Sequence, residues 1–190
     1  MKKYVLYISA CMIAASCATV YHYSFSLLSV VRPSQASEKY GPAKIEKVAD
    51  SVTSRYRCSD SCVDVVFSIN TEQIEFVCKN KTDHAIKIDW EKAAYINPYN
   101  VRKRVIHEGI RYERKADPQT PSIIRKGETL TDRLLPSENV NVYLYGSGGF
   151  TVYPLFSARE YGRTARVLLP LEIDGVVSEY CFQFKISADQ

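Results

Sequence analysis

The chain has 190 residues, of which 46% are hydrophobic and 24% are charged, and this composition excludes extensive intrinsic disorder. The length is sufficient for one domain with a hydrophobic core and is short for two. The formal net charge is +4, and loss of Lys2 and Lys3 with a leader would leave about +2, so the charge does not indicate a nucleic-acid partner.

The N-terminus has the organisation of an export signal. Residues 1–3 form a short, positively charged segment, and residues 4–15 form an apolar segment of the length that is usual in signal peptides. Residues 13–17 read Ile-Ala-Ala-Ser-Cys, which resembles the lipobox of bacterial lipoproteins. In that family, small residues precede a cysteine that is diacylated and becomes the new N-terminus. The resemblance covers about the first 17 residues and identifies Cys17 as the lipidated position.

This resemblance implies a signal peptide over residues 1–16, a lipidated N-terminus over residues 17–19, and a single domain over residues 20–190. Several acyl chains would anchor the protein to a membrane of the cell envelope, facing the periplasm or the exterior. Three alternatives stay open. They are a transmembrane anchor within the uncharged residues 4–31, ordinary cleavage after Ala18, and a longer presequence that ends at Ala36.

Short alternating segments separated by turn residues follow the leader. Strands are predicted at residues 20–31, 63–68, 74–79, 86–90, 93–96, 104–107, 110–112, 129–134, 140–145, 166–173 and 176–186. Residues 32–50 are predicted to form a surface excursion or a short helix near residues 43–50. Asp174 and Gly175 lie between two alternating apolar runs, which predicts a hairpin with a type I′ turn. The pattern predicts an all-β antiparallel sandwich.

Three short segments resemble a group of uncharacterised bacterial lipoproteins with immunoglobulin-like domains. They are Asn-Lys-Thr at residues 80–82, Ile-Asp-Trp at residues 88–90, and Arg-Val-Ile-His-Glu-Gly at residues 104–109. The resemblance covers about half of the chain. It implies that the sandwich is immunoglobulin-like, and it brings no known activity.

Six cysteines are present, and Cys11 lies in the leader. Besides Cys17, four remain for an oxidising compartment: Cys58, Cys62, Cys78 and Cys181. A bridge between Cys58 and Cys62 is possible if residues 57–62 form a turn, and Cys181 could reach another loop. Cys78 follows two apolar residues of an inward face and is predicted to be a buried free thiol. No histidine stands at ligand spacing, so no metal site is predicted.

One basic cluster precedes and follows the predicted hairpin at Glu108 and Gly109. Its members are Arg102, Lys103, Arg104, Arg111, Arg114 and Lys115. Four of them, Arg102, Arg104, Arg111 and Arg114, are predicted to contact anionic headgroups, a glycan or an acidic partner. The competing interpretation is that these charges only protect the edge of a sheet from pairing with another chain.

Trp90 and His107 are the other residues that could carry function. Trp90 is the single tryptophan, and it is predicted to lie in the core rather than to anchor a partner. His107 stands beside Glu108 and is predicted to be solvated at the end of a hairpin rather than to act as a general base. Residues 146–149 read Gly-Ser-Gly-Gly and lack the residues of a phosphate loop or a nucleophile elbow, so a flexible loop is predicted.

These observations predict a non-catalytic role for the protein. The expected function is binding or assembly at the membrane, with a protein, a glycan or another envelope component as the partner. No catalytic residue, cofactor or nucleic-acid partner is predicted. The alternatives are an envelope hydrolase and a small-ligand carrier, which would need a cleft of convergent ionisable groups or a sizeable apolar cavity.

Overall fold

The computed structural model describes residues 22–48, 55–143 and 149–189. These residues form fourteen β-strands, one α-helix and three 3-10 helices. The strands are β1 (His22–Val31), β2 (Lys44–Val48), β3 (Arg55–Ser59), β4 (Val63–Ile69), β5 (Ile74–Asn80), β6 (Ile86–Ile88), β7 (Ala94–Ile96), β8 (Arg102–His107), β9 (Ser122–Ile124), β10 (Thr129–Pro136), β11 (Val140–Tyr143), β12 (Gly149–Val152), β13 (Thr164–Ile173) and β14 (Val176–Asp189). The helices are α1 (Ser34–Tyr40) and the 3-10 helices Tyr112–Arg114, Ser137–Asn139 and Ala158–Glu160.

Twelve of these strands form one antiparallel sheet, and this confirms the all-β antiparallel prediction. The main path runs β1-β14-β13-β7-β8-β10-β5-β4-β3-β2, and β6 pairs with β13 and with β9. β8 joins the two halves of the path because it pairs with β7 on one side and with β10 on the other. The strands at the two ends of the path, β1 and β2, come into contact, so the sheet is nearly closed.

The inward-facing residues of the two halves meet in one hydrophobic core. β5 shows the alternation that produces it, because Ile74, Phe76 and Cys78 are buried and the residues between them are exposed. Phe67 of β4 lies 4.7 Å from Phe182 and 5.1 Å from Phe184 of β14, measured between ring centroids. Aromatic side chains therefore supply much of the apolar surface buried between the halves.

A second, smaller apolar cluster lies outside the main core. β11 and β12 form a separate two-stranded sheet. The buried members of this second cluster are Ile106, Leu135 and Val140. Val105 and Leu134 belong to the main core, so their neighbours Ile106 and Leu135 point to the other side of the sheet. The β11–β12 hairpin therefore covers apolar residues that the outer face of β8 and β10 would otherwise expose.

Two local elements, a turn and a helix, show where the sequence pattern was sufficient for a correct prediction and where it was not. Asp174 and Gly175 have φ angles of 52° and 74°, which confirms the predicted turn with two left-handed residues between β13 and β14. The alternative of a short helix near residues 43–50 is wrong for the residues of this range that the structure describes. The helix of this segment is α1, and Lys44–Val48 is strand β2, which is held by its pairing with β3.

The segment after His107 also differs from the prediction. Residues 110–112 are not a returning strand, because the chain turns at Gly109 with a φ of 88° and then enters the 3-10 helix Tyr112–Arg114. β8 pairs instead with β7 and β10, whose residues are distant in the sequence. These partners leave no place beside β8 for the predicted strand.

Candidate functional site

The predicted lipidation site, Cys17, lies outside the described residues, as does the predicted signal peptide, residues 1–16. Among the residues that the structure describes, no helix has the length and apolar character needed to cross a membrane. β1 begins at His22, five positions after Cys17. The predicted anchor and the folded sheet are therefore joined by a very short segment.

The four cysteines of the described residues are all free thiols, so the disulfide predicted for Cys58, Cys62 and Cys181 is not formed. Cys181 is half-buried, and it alternates along β14 with Tyr180 and Phe182, which face the core. Its side chain therefore points away from the core, and Cys62 is buried in the core on the opposite side of β14. Cys58 lies on β3, and the turn that follows β3 is closed by hydrogen bonds to Asp60 rather than by a disulfide.

Three of the thiols are enclosed in the main core, and the predicted burial of Cys78 is confirmed. Burial raises the pKa of Cys58 to about 11 and the pKa values of Cys62 and Cys78 to about 12. Water is excluded around these sulfur atoms, and an apolar environment disfavours the charged thiolate. These groups are therefore poor nucleophiles in the folded protein.

A buried ion pair closes the turn between β3 and β4, and sequence reasoning missed it. Arg32 Nη1 lies 2.5 Å from Asp60 Oδ2, and the same oxygen accepts a hydrogen bond from the Tyr180 hydroxyl at 2.8 Å. Asp60 Oδ1 accepts the backbone N–H groups of Cys62 and Val63. Asp60 therefore joins the end of β1, the β3–β4 turn and β14, and its role is to organise the structure.

The predicted basic cluster is divided by the structure. Arg104 is held by Glu91, with Nη2 at 2.7 Å from Oε1, and by the carbonyl oxygens of Lys115 and Asp117. Arg102 donates to the carbonyl of Lys92 at 2.7 Å. The guanidinium of Arg104 thus fixes the segment after β8, and a structural role accounts for it.

Arg111 and Arg114, in contrast, are exposed at the two ends of the segment that contains Tyr112. The ring of Tyr112 makes an edge-to-face contact with Phe150 of β12, with 4.6 Å between the centroids. Phe150 is 57% exposed and pairs with Val142, so the exposed Tyr143 lies on the opposite face of the hairpin. We call Arg111, Arg114 and Phe150 the hairpin surface. Two of the four predicted contact residues therefore lie near an exposed aromatic ring that the sequence did not place there.

His107 is not solvated at a hairpin end, and this prediction is wrong. Its ring stacks on Trp90 with 4.6 Å between the centroids, and Nδ1 lies 3.2 Å from Oδ2 of the buried Asp132. The other oxygen of Asp132 accepts the backbone N–H groups of Glu108 and Arg133. Trp90 is fully buried, so its predicted core position is confirmed. These contacts fix the end of β8 against β10.

A further polar cluster lies around the 3-10 helix Ala158–Glu160. The Tyr99 hydroxyl donates to Glu160 at 2.7 Å, and the Ser157 hydroxyl donates to the same carboxylate at 2.7 Å. Burial acts to raise the pKa of Glu160, but these hydrogen bonds outweigh it and lower the pKa. A surface cavity of about 290 Å³ borders this cluster and is lined also by Lys103 and Phe156.

Comparison of the chain with known protein-family models, with curated proteins and with solved structures found no match.

Proposed function

We propose that this protein is a lipid-anchored lipoprotein of the cell envelope with a non-catalytic binding or assembly role. Residues 1–16 are its signal peptide, and Cys17 is acylated and attaches the β-domain to the membrane. The partner is a protein, a glycan or another envelope component that contacts the hairpin surface. The lipobox-like sequence at residues 13–17 supports the anchor.

The composition of the hairpin surface is the observation that carries the binding role. Phe150 exposes an aromatic ring, and Arg111 and Arg114 expose guanidinium groups near it, with Glu113 at 3.6 Å from Arg111. Aromatic residues and arginine are enriched where proteins bind partners, because they combine large contact area with directional hydrogen bonding. Arg111 and Arg114 flank and end a 3-10 helix and are not part of a strand, so protection of a sheet edge does not account for them.

We further propose that the two halves of the sheet are the layers of an immunoglobulin-like sandwich. The contacts of Phe67 with Phe182 and Phe184 support two packed layers, and β8 then passes between them. In sandwiches, end loops and exposed strands are available for recognition, so the outer side of the β11–β12 hairpin is suited to receive a partner.

The binding role is tested with a photo-crosslinking amino acid at Phe150 in cells that make the lipoprotein. We expect one discrete crosslinked product, whose yield falls at least about tenfold when Arg111 and Arg114 are changed to glutamate, because charge reversal opposes the partner at the same surface. Ile123 is also exposed but lies on β9, and it is the control position for the same probe.

Equal yields from Phe150 and Ile123, or a yield that charge reversal does not change, would contradict the binding role. The anchor is tested separately by the intact mass of the protein purified from membranes. A chain that starts at an acylated Cys17 is expected. An unacylated chain that starts at Ala18, or one that retains Met1, would refute the lipoprotein proposal.

A further inference from the structure

The start of β1 fixes which end of the domain is nearest to the anchor. His22 lies five positions after Cys17, and five extended residues span at most about 18 Å. His22 pairs with Asp189 at the end of β14. If Cys17 is acylated, this end of the sheet is therefore held within a short distance of the lipid headgroups.

Two loops lie at the same end of the sheet. β13 runs antiparallel to β14, and Thr164 pairs with Lys185. The loop before β13 is fixed to β14 by hydrogen bonds between the backbones of Gly162 and Ile186, at 3.0 Å, and of Ile186 and Arg163, at 2.9 Å. The loop therefore lies against the same end of β14 that pairs, on its other edge, with the start of β1.

The turn after β7 reaches this end as well. β7 ends at Ile96, which pairs with Arg166 of β13. Arg166 donates from Nη2 to Asn100 Oδ1 at 2.7 Å, and the guanidinium of Arg163 lies 4.7 Å from the centroid of the Tyr99 ring. The turn and the loop therefore form one continuous surface.

This surface combines exposed tyrosine with exposed positive charge. We call it the end patch, and it consists of Tyr99, Arg159, Tyr161, Arg163 and Lys185. Tyr99 is 54% exposed and Tyr161 is 57% exposed, whereas Glu160 is buried under Tyr99 and has its charge satisfied by hydrogen bonds. Three basic side chains thus face solvent around two tyrosine rings.

We propose that the end patch rests on the headgroup layer of the membrane that holds Cys17, with its basic residues facing anionic lipid headgroups. Tyrosine rings are favoured at the lipid–water boundary, because the ring is apolar and its hydroxyl is polar. Arginine and lysine close to an anionic membrane are attracted to its surface. The inference rests on the proposed acylation of Cys17, and it also fixes the orientation of the domain.

The orientation is measured by tryptophan quenching in the full acylated protein. Tyr161→Trp places a probe in the end patch, and Val176→Trp places a matched probe in the β13–β14 turn. Val176 is 59% exposed and lies nine positions before Lys185 on β14, which is about 30 Å along an extended strand. Trp90 is fully buried and contributes the same background to both variants.

Both variants are placed in vesicles of phosphatidylcholine and phosphatidylglycerol with brominated acyl chains, which quench nearby indole rings. We expect quenching of Tyr161→Trp to exceed that of Val176→Trp by at least about threefold. Changing Arg159 and Arg163 to glutamate in the Tyr161→Trp protein is expected to reduce its quenching by about half or more, since the anionic surface then repels the patch.

The outcomes separate this inference from the proposed anchor. Each protein is first floated with its vesicles. Failure of the wild-type protein to float would refute the anchor, and the inference with it. Flotation with equal quenching at the two positions would leave the anchor standing and overturn the inference, as would quenching that is unchanged by charge reversal or by replacement of phosphatidylglycerol with phosphatidylcholine.

Discussion

Replacing Asp60 by alanine is expected to lower the free energy of unfolding by about 3–5 kcal/mol, because it leaves a buried charge without its partner. The side chains of Arg32 and Asp60 are only 5% and 1% exposed, so water cannot substitute for the lost carboxylate. The Tyr180 hydroxyl also loses its acceptor. Urea unfolding followed by the fluorescence of Trp90, which is the single tryptophan, measures the change.

Asp64→Ala is the matched control for Asp60→Ala. Asp64 also pairs with an arginine, Arg57, but the two side chains of that pair are 14% and 46% exposed. Water can hydrate either group after the other is removed, so the expected loss is below about 1 kcal/mol. Equal small losses from the two substitutions would show that the Asp60 pair does not organise the turn.

The sequence was sufficient to predict those elements whose structure is determined by residues close to them along the chain. The alternation of Ile74, Phe76 and Cys78 predicts a half-buried strand, and the structure places these side chains in the core. Asp174-Gly175 predicts its turn because few other residues adopt two consecutive left-handed conformations. In both cases the relevant neighbours are within a few residues along the chain.

The Asp60 network could not be predicted from the sequence, because its partners are far away along the chain. Arg32 and Tyr180 are separated from Asp60 by 28 and 120 residues. The composition of residues 57–62 indicated a turn, which is correct for the three residues between β3 and β4. It gave no indication that the aspartate of that turn would be buried.

The candidate surfaces were predictable only in part for the same reason. The basic cluster is visible in the sequence, but Arg104 is held by Glu91, 13 positions earlier in the chain, whereas Arg114 and Arg111, which pairs with the nearby Glu113, remain exposed. Phe150 reaches Tyr112 from a hairpin 38 residues later. Which charges are available to a partner is therefore decided by tertiary contacts, while their presence is decided by the sequence.

Raising the pH from 9 towards 11 is expected to destabilise the protein steeply. The ordinary pKa of a cysteine is 9.0, and burial raises the pKa values of Cys58, Cys62 and Cys78 to about 11, 12 and 12. Above pH 9 the unfolded chain therefore binds fewer protons than the folded one, so the free energy of unfolding falls. The three thiols together lower the free energy of unfolding by about 4 kcal/mol for each pH unit near pH 10.

Cys78→Val isolates the contribution of one thiol. It removes the titrating sulfur and keeps a side chain of similar size, so the slope is expected to become shallower by about 1.4 kcal/mol per pH unit. Val65→Ala is the control, because Val65 is buried and pairs with both Cys58 and Cys78 but does not titrate. It should lower stability by a similar amount at every pH and leave the slope unchanged. Urea unfolding at a series of pH values gives both slopes, and an unchanged slope in Cys78→Val would mean that this thiol ionises in the folded protein as readily as in the unfolded chain.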